Sequence, residues 1–104
     1  MTHKEVKEML KKLMIPVAYD HFDDNKNLIP PFIAYREQAP SNFKADNLTY
    51  VSFFNFEIEL VTSKKDVELE RKIENLLTEN NISYDKDDDV WDEDEKIYHI
   101  FYEI

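Results

Sequence analysis

The stretch DKDDDVWDEDEK, Asp85 to Lys96, is the densest set of chemically capable groups in this chain. Asp85, Asp87 and Asp89 are spaced like the opening carboxylates of a calcium-binding loop, where alternate side chains reach one cation. The match ends there. That loop needs glycine at its sharp turn, where this chain has Val90, and a closing bidentate glutamate, where it has Lys96. Without a cation, the run reads as a solvated hairpin tip whose charge discourages edge-to-edge pairing. Trp91, at its centre, has two readings. It folds back over the domain as a lid, or it anchors a partner within a ring of acids. The first is preferred, which makes the segment architecture rather than chemistry.

Other reactive types are scattered. His3, His21 and His99 have no second ligand at metal-binding spacing, and the serines lack a nucleophile-elbow pattern. The chain has no cysteine, which excludes disulfides, thiolate metal sites and thiol nucleophiles. It also has no glycine, which excludes the phosphate-cradling loops that need a bare Cα. The reading is a protein that is not an enzyme and takes no cofactor or metal. A net charge of −10 argues against sequence-specific nucleic-acid binding, which needs clustered Lys and Arg. No apolar run reaches membrane-spanning length.

The 104 residues are expected to form one α+β domain, 1–104. THKEVKEMLKKLM predicts a helix capped by Thr2 and Glu5, with Val6, Met9, Leu10 and Leu13 on one stripe. Strands are expected at Ile15–Tyr19 and from Phe32, after the Pro30-Pro31 pair. Phe43 and Ala45 precede a turn at Asp46-Asn47. Tyr50 to Thr62 then shows the clearest two-fold alternation, with Phe54, Phe56, Ile58 and Leu60 on one face and Asn55, Glu57 and Glu59 on the other. Unbroken, it would span roughly 40 Å, long for so small a domain. It is therefore expected to project in part beyond the core. A second helix, capped by Ser63 or Asp66, carries Leu69, Ile73, Leu76 and Leu77, with Glu68, Glu70, Arg71, Lys72 and Glu74 assigned to its wet face. ISYD and KIYHIFYEI flank the acidic run as hairpin strands. The order α-β-β-β-β-α-β-β predicts a mainly antiparallel sheet with two helices packed on one face.

Four stretches carry a resemblance that covers nearly the whole chain: VAYDHF, PPFIAY, NFKAD followed by Tyr50, and the helix from Asp66 to Leu77 with its ELERKIE core. Together they resemble the small tail proteins encoded just before the major tail subunit in long-tailed phages and prophages of Gram-positive bacteria. The resemblance implies a tail terminator, or tail-completion protein, similar in fold to the lambda-type terminator. It implies a homo-oligomeric ring, usually sixfold, that caps the tail tube in the virion, ends tube growth and helps head–tail joining. The implied partners are further copies of itself, the major tail tube protein and the head–tail connector proteins. No catalytic residues carry over.

Subunit or partner contacts are expected at Phe43, Tyr50, Phe53, Asn55, Glu57 and Trp91. An acidic ring lumen would let DNA pass without sticking. The alternatives are an acidic protein-binding module, imitating DNA to occupy a basic protein, or another neck or head-closure protein.

Overall fold

A computed structural model describes residues 2–20, 29–38 and 56–104. Their order is α1 (His3–Lys11), β1 (Val17–Tyr19), β2 (Phe32–Glu37), β3 (Phe56–Thr62), α2 (Val67–Glu79), β4 (Asp85–Lys86), β5 (Val90–Asp92) and β6 (Ile97–Glu103). This is an α+β fold, and its sheet is antiparallel except for the β1–β2 pair. The expected strand residues 50–55, and the turn near Asp46, lie outside the described residues.

Both helices begin where their side chains can satisfy free backbone N–H groups. At α1 the Glu5 N–H donates to Thr2 Oγ1 and the Thr2 N–H donates to Glu5 Oε1, each at 3.2 Å, a reciprocal capping box. At α2 the Leu69 N–H donates to Asp66 Oδ1 at 3.0 Å. Each helix then lays one stripe on the sheet. Val6, Met9 and Leu10 from α1, and Leu69, Ile73, Leu76 and Leu77 from α2, share one cluster with Ile33, Tyr35, Phe56, Ile58, Leu60, Ile100, Tyr102 and Ile104.

Register explains why the sheet side of that cluster is continuous. Ile33 pairs with Leu60 and Tyr35 with Ile58, while Ile58 pairs with Tyr102 and Leu60 with Ile100. Side chains alternate between faces along a strand, so these rows all meet the helices. The intervening residues, Arg36, Glu57, Glu59, His99, Phe101 and Glu103, point to the helix-free face. The strand order is β1-β2-β3-β6-β4, with β5 also on β6. Strand β6 is therefore interior, as its aromatic content on both faces predicts. Among the described residues, β1 forms one edge, and β4 and β5, each paired with β6, form the other.

The edge beside β6 departs from a plain hairpin. Lys86 pairs with Tyr102, the Asp87 N–H donates to Phe101 O at 3.0 Å, and Val90 pairs with His99. Three steps on one strand match two on the other, so Asp88 and Asp89 form a one-residue bulge opposite Ile100. The acidic run thus contains its own strand, β5, and its tip shrinks to Glu93–Lys96.

With no glycine available, other residues take the left-handed turn positions. Asn81 (φ 57°) and Asp20 (φ 64°) are types that tolerate this region, whereas Met14 (φ 61°) and Lys96 (φ 58°) are not. Lys96 closes the β5–β6 turn, where its N–H donates to Asp92 O at 2.8 Å. Lys96→Gly is expected to raise stability by about 0.5 kcal/mol, the left-handed cost less the entropy glycine adds to the unfolded chain. Urea denaturation measures it, and a lower midpoint for the variant would contradict the assigned strain.

Candidate functional site

Of the six residues expected to make contacts, Phe43, Tyr50, Phe53 and Asn55 lie outside the described residues. Glu57 and Trp91 are described, and they sit in different places. Glu57 is on the helix-free face of β3, directly across from Arg36 on β2. Trp91 is on edge strand β5, directly across from Tyr98. The structure does not bring these two together.

On the helix-free face, Arg36 is the hub. Its Nη1 donates to Glu57 Oε1, its Nη2 to Glu59 Oε1 at 3.2 Å, and its Nε to Asp20 Oδ1 at 3.3 Å. Glu59 Oε2 lies 2.6 Å from His99 Nδ1, and the His99 ring stacks on Phe101 at a 14° interplanar angle. Gln38 Nε2 reaches Glu103 Oε1 at 3.5 Å. Glu57 and Glu103 are direct cross-strand neighbours of like charge, which is unfavourable alone. The Arg36 guanidinium, held flat by three carboxylates, offsets that repulsion. The result is a charged, half-buried surface fixed by its own hydrogen bonds.

At the acidic tip, Trp91 is neither a closed lid nor a free anchor. Its ring packs on Tyr98 with centroids 4.6 Å apart, and its Nε1–H donates to Glu93 Oε2 at 2.6 Å. It still leaves 42 % of its surface exposed. Asp92 Oδ1 accepts from the Asp94 and Glu95 N–H groups, at 3.0 and 3.1 Å, and so shapes the turn. Glu93 also pairs with Lys96, which with the Trp91 bond holds its carboxyl below the usual range. Among the described residues, no three His, Asp or Glu side chains are grouped to hold a metal ion.

The polar cluster that sequence reasoning missed runs from the surface to a buried end on α2. Glu70, assigned to the wet face of the helix, is 2 % exposed. It lies three residues before Ile73 and seven before Leu77, so the helical period already placed it inward. Its charge overrode that signal. The helix tolerates it because two ammonium groups reach it from the surface. Lys86 Nζ is 2.6 Å from Glu70 Oε1, and Lys65 Nζ is 3.0 Å from Oε1 and 2.9 Å from Oε2. Lys65 continues to Asp89 at 2.5 Å, and Lys86 to Glu74 at 3.1 Å. The Tyr102 hydroxyl completes the chain by donating to Glu74 Oε2 at 2.8 Å.

The titration of these groups follows from that geometry. Burial pushes the Glu74 carboxyl up, but the Tyr102 hydroxyl and Lys86 ammonium together outweigh it and hold the group below its usual range. Burial, then the bond to Glu74, pushes the Tyr102 phenol far above its ordinary value. The Lys65 ammonium is raised by Asp89 first and Glu70 second. The network ties both strands at one sheet edge, through Lys86 and Asp89, to helix α2. It is a fastening, in which each charged group faces a fixed counter-charge.

Because the folded Glu74 value is lowered, its stabilisation is present above the ordinary carboxyl range and is lost as pH falls through the folded value. Tyr102→Phe removes one cause of the lowering. The variant is expected to lose about 1–2 kcal/mol at neutral pH, with Glu74 titrating higher by NMR and the deficit shrinking below about pH 4. A deficit independent of pH would show that the hydroxyl contributes through packing alone.

No family model matches this chain, and comparison with curated proteins and with solved structures gives no match.

Proposed function

We propose that this protein is a structural component of a phage tail, assembling as a ring at the end of the tail tube, ending tube growth and helping head–tail joining. The sequence resemblance to tail-terminator proteins suggests the role. One observation carries it physically. Glu37 and Phe56 are direct partners in the β2–β3 ladder, yet eighteen residues, 38 to 55, connect them. A hairpin between paired strands closes with as few as two residues, and connections beyond about 12–15 residues are usually functional or linking segments.

That connection holds Phe43, Leu48, Tyr50, Val51, Phe53 and Phe54, an apolar content unlike that of an ordinary surface turn. It leaves from the end of the sheet where Phe56 exchanges hydrogen bonds with Ile104, at 3.0 and 2.9 Å. A long apolar insertion on a body fastened by its own core is a suitable device for gripping a neighbouring copy. In a closed ring each copy gives one surface and receives another, so a reaching segment and a separate receiving surface suffice.

The test is to replace residues 39–54 with Asn-Gly, a turn whose flanking Gln38 and Asn55 continue the β2–β3 register. The shortened protein is expected to keep its fold and to melt within a few degrees of the parent. It is expected to lose association with tail tubes, so that cells making tails with it produce overlong tubes by electron microscopy. Normal tail lengths with the shortened protein would overturn the role given to the connection. If the full chain neither self-associates nor binds tube ends, the ring itself is wrong.

A further inference from the structure

Exposed apolar side chains stand at both edges of the sheet, besides Ile29 and Val67, and the charge around them differs between the two edges. At the β1 edge, the corner between α1 and β1 carries Met14, 89 % exposed, beside Lys11 and Lys12. Helix α1 adds Lys4 and Lys7, interleaved with Glu5 and Glu8, and among the described residues none of these four ammonium groups has an ion-pair partner. At the other edge, β5 carries Trp91, 42 % exposed, and Val90, 50 % exposed. Around them, residues 85–96 hold eight acids and two lysines, a net charge of −6. The side chains of Asp85, Asp87, Asp88, Asp94 and Glu95 have no partner among the described residues.

We propose that these edges fit each other between copies, the Met14–Lys11–Lys12 corner of one molecule seating on the acid-rimmed Val90–Trp91 edge of the next. The inference rests on the ring reading above and names a contact within it. Three features favour a second copy as the occupant. The charges are opposite, within a chain whose net charge of −10 would otherwise keep copies apart. Each side offers an exposed apolar side chain inside its charged rim, Met14 on one and Trp91 on the other, with Val90 on the opposite face of the same strand, and a thioether against an aromatic ring is a favourable contact. The third feature is level. The α1–β1 corner enters the sheet at Val17, in the row of Ile33, Leu60 and Ile100. Trp91 stands in the row of Tyr98 and Thr62, two residues away along the strands. Surfaces at opposite edges but nearly one height join copies by rotation with little rise, and a head-to-tail rotation that closes is a ring.

Two full-length variants test this, each altered only at exposed positions. Lys11→Glu with Lys12→Glu spoils one surface, and Asp87→Asn with Asp88→Asn and Asp94→Asn neutralises the rim of the other while leaving Trp91 packed on Tyr98. Circular dichroism and melting confirm that both fold. Each variant alone is expected to lose self-association, or attachment to tail tubes, by roughly thirtyfold. Mixed together, they retain one good pairing and are expected to form a heterodimer that grows no further, by sedimentation. Raised salt weakens that heterodimer. If either folded variant assembles like the parent, the contact is wrong while the ring stands. If the Asp→Asn edge variant loses binding only to a basic probe such as polylysine and still self-associates, the occupant is wrong. If the parent chain does not assemble, free or on tubes, the ring reading falls and this contact with it.

Discussion

The alternation of strand β3 is the constraint on which the rest of the molecule depends. Phe56, Ile58 and Leu60 point to the helices, and Glu57 and Glu59 point away. Because β3 is paired on both sides, its register fixes which residues of β2 and β6 share each face. A slip of one residue would put Glu57 and Glu59 against Val6, Ile73 and Leu77, and Ile58 beside Arg36. Burying two carboxylates in that apolar cluster would cost several kcal/mol. Both helices can therefore dock in one way only, and the charged face that Arg36 organises follows from the same register.

The second constraint is the fastening of the acidic edge. A run of eight acids in twelve residues repels itself and would not lie beside β6 on hydrophobic grounds alone. Three things hold it. The bulge at Asp88–Asp89 re-aims the strand, Trp91 packs on Tyr98, and the two ammonium groups around Glu70 reach into the segment through Lys86 and Asp89. Glu70 thus serves as an anchor. A carboxylate placed among Leu69, Ile73 and Leu77 fixes where two lysines must end, and those lysines locate the edge. A leucine at that position would pack equally well and specify less, which accords with the use of buried charge to select one arrangement.

Much of this was legible in the sequence, for physical reasons that differ from element to element. The capping box at Thr2 and Glu5 and the faces of β3 and β6 are legible because each depends on spacing within one short segment, which for α2 leaves both Ser63 and Asp66 as caps, of which the structure uses Asp66. What spacing cannot carry was missed. The parallel pairing of β1 with β2 is a tertiary choice. Strand β5 was hidden because a run of Asp and Glu suggests a turn, whereas its order comes from β6 and the lysines. Glu70 was misplaced because charge was ranked above period. Met14 and Lys96 adopt left-handed backbone, and no residue type announces that in a chain without glycine. Of the expected contact residues, Glu57 is committed to Arg36, and Trp91 is shared between its own strand pair and solvent.

That sharing has a consequence for how such a molecule can behave. A tryptophan fully folded under its domain would contribute only stability, and one fully exposed would favour indiscriminate aggregation. Trp91 is held at one angle by Tyr98 and Glu93, so its exposed half is already ordered and a partner need not freeze it. Its acidic rim, meanwhile, turns away most surfaces of the same acidic chain. An apolar patch guarded by like charge rejects random encounters between copies and admits only the one orientation that brings lysines to it. In the contact proposed above this selectivity would come from Lys4, Lys7 and Lys11 on α1 and Lys12 at its cap, at the far edge of the sheet from the acids they would meet.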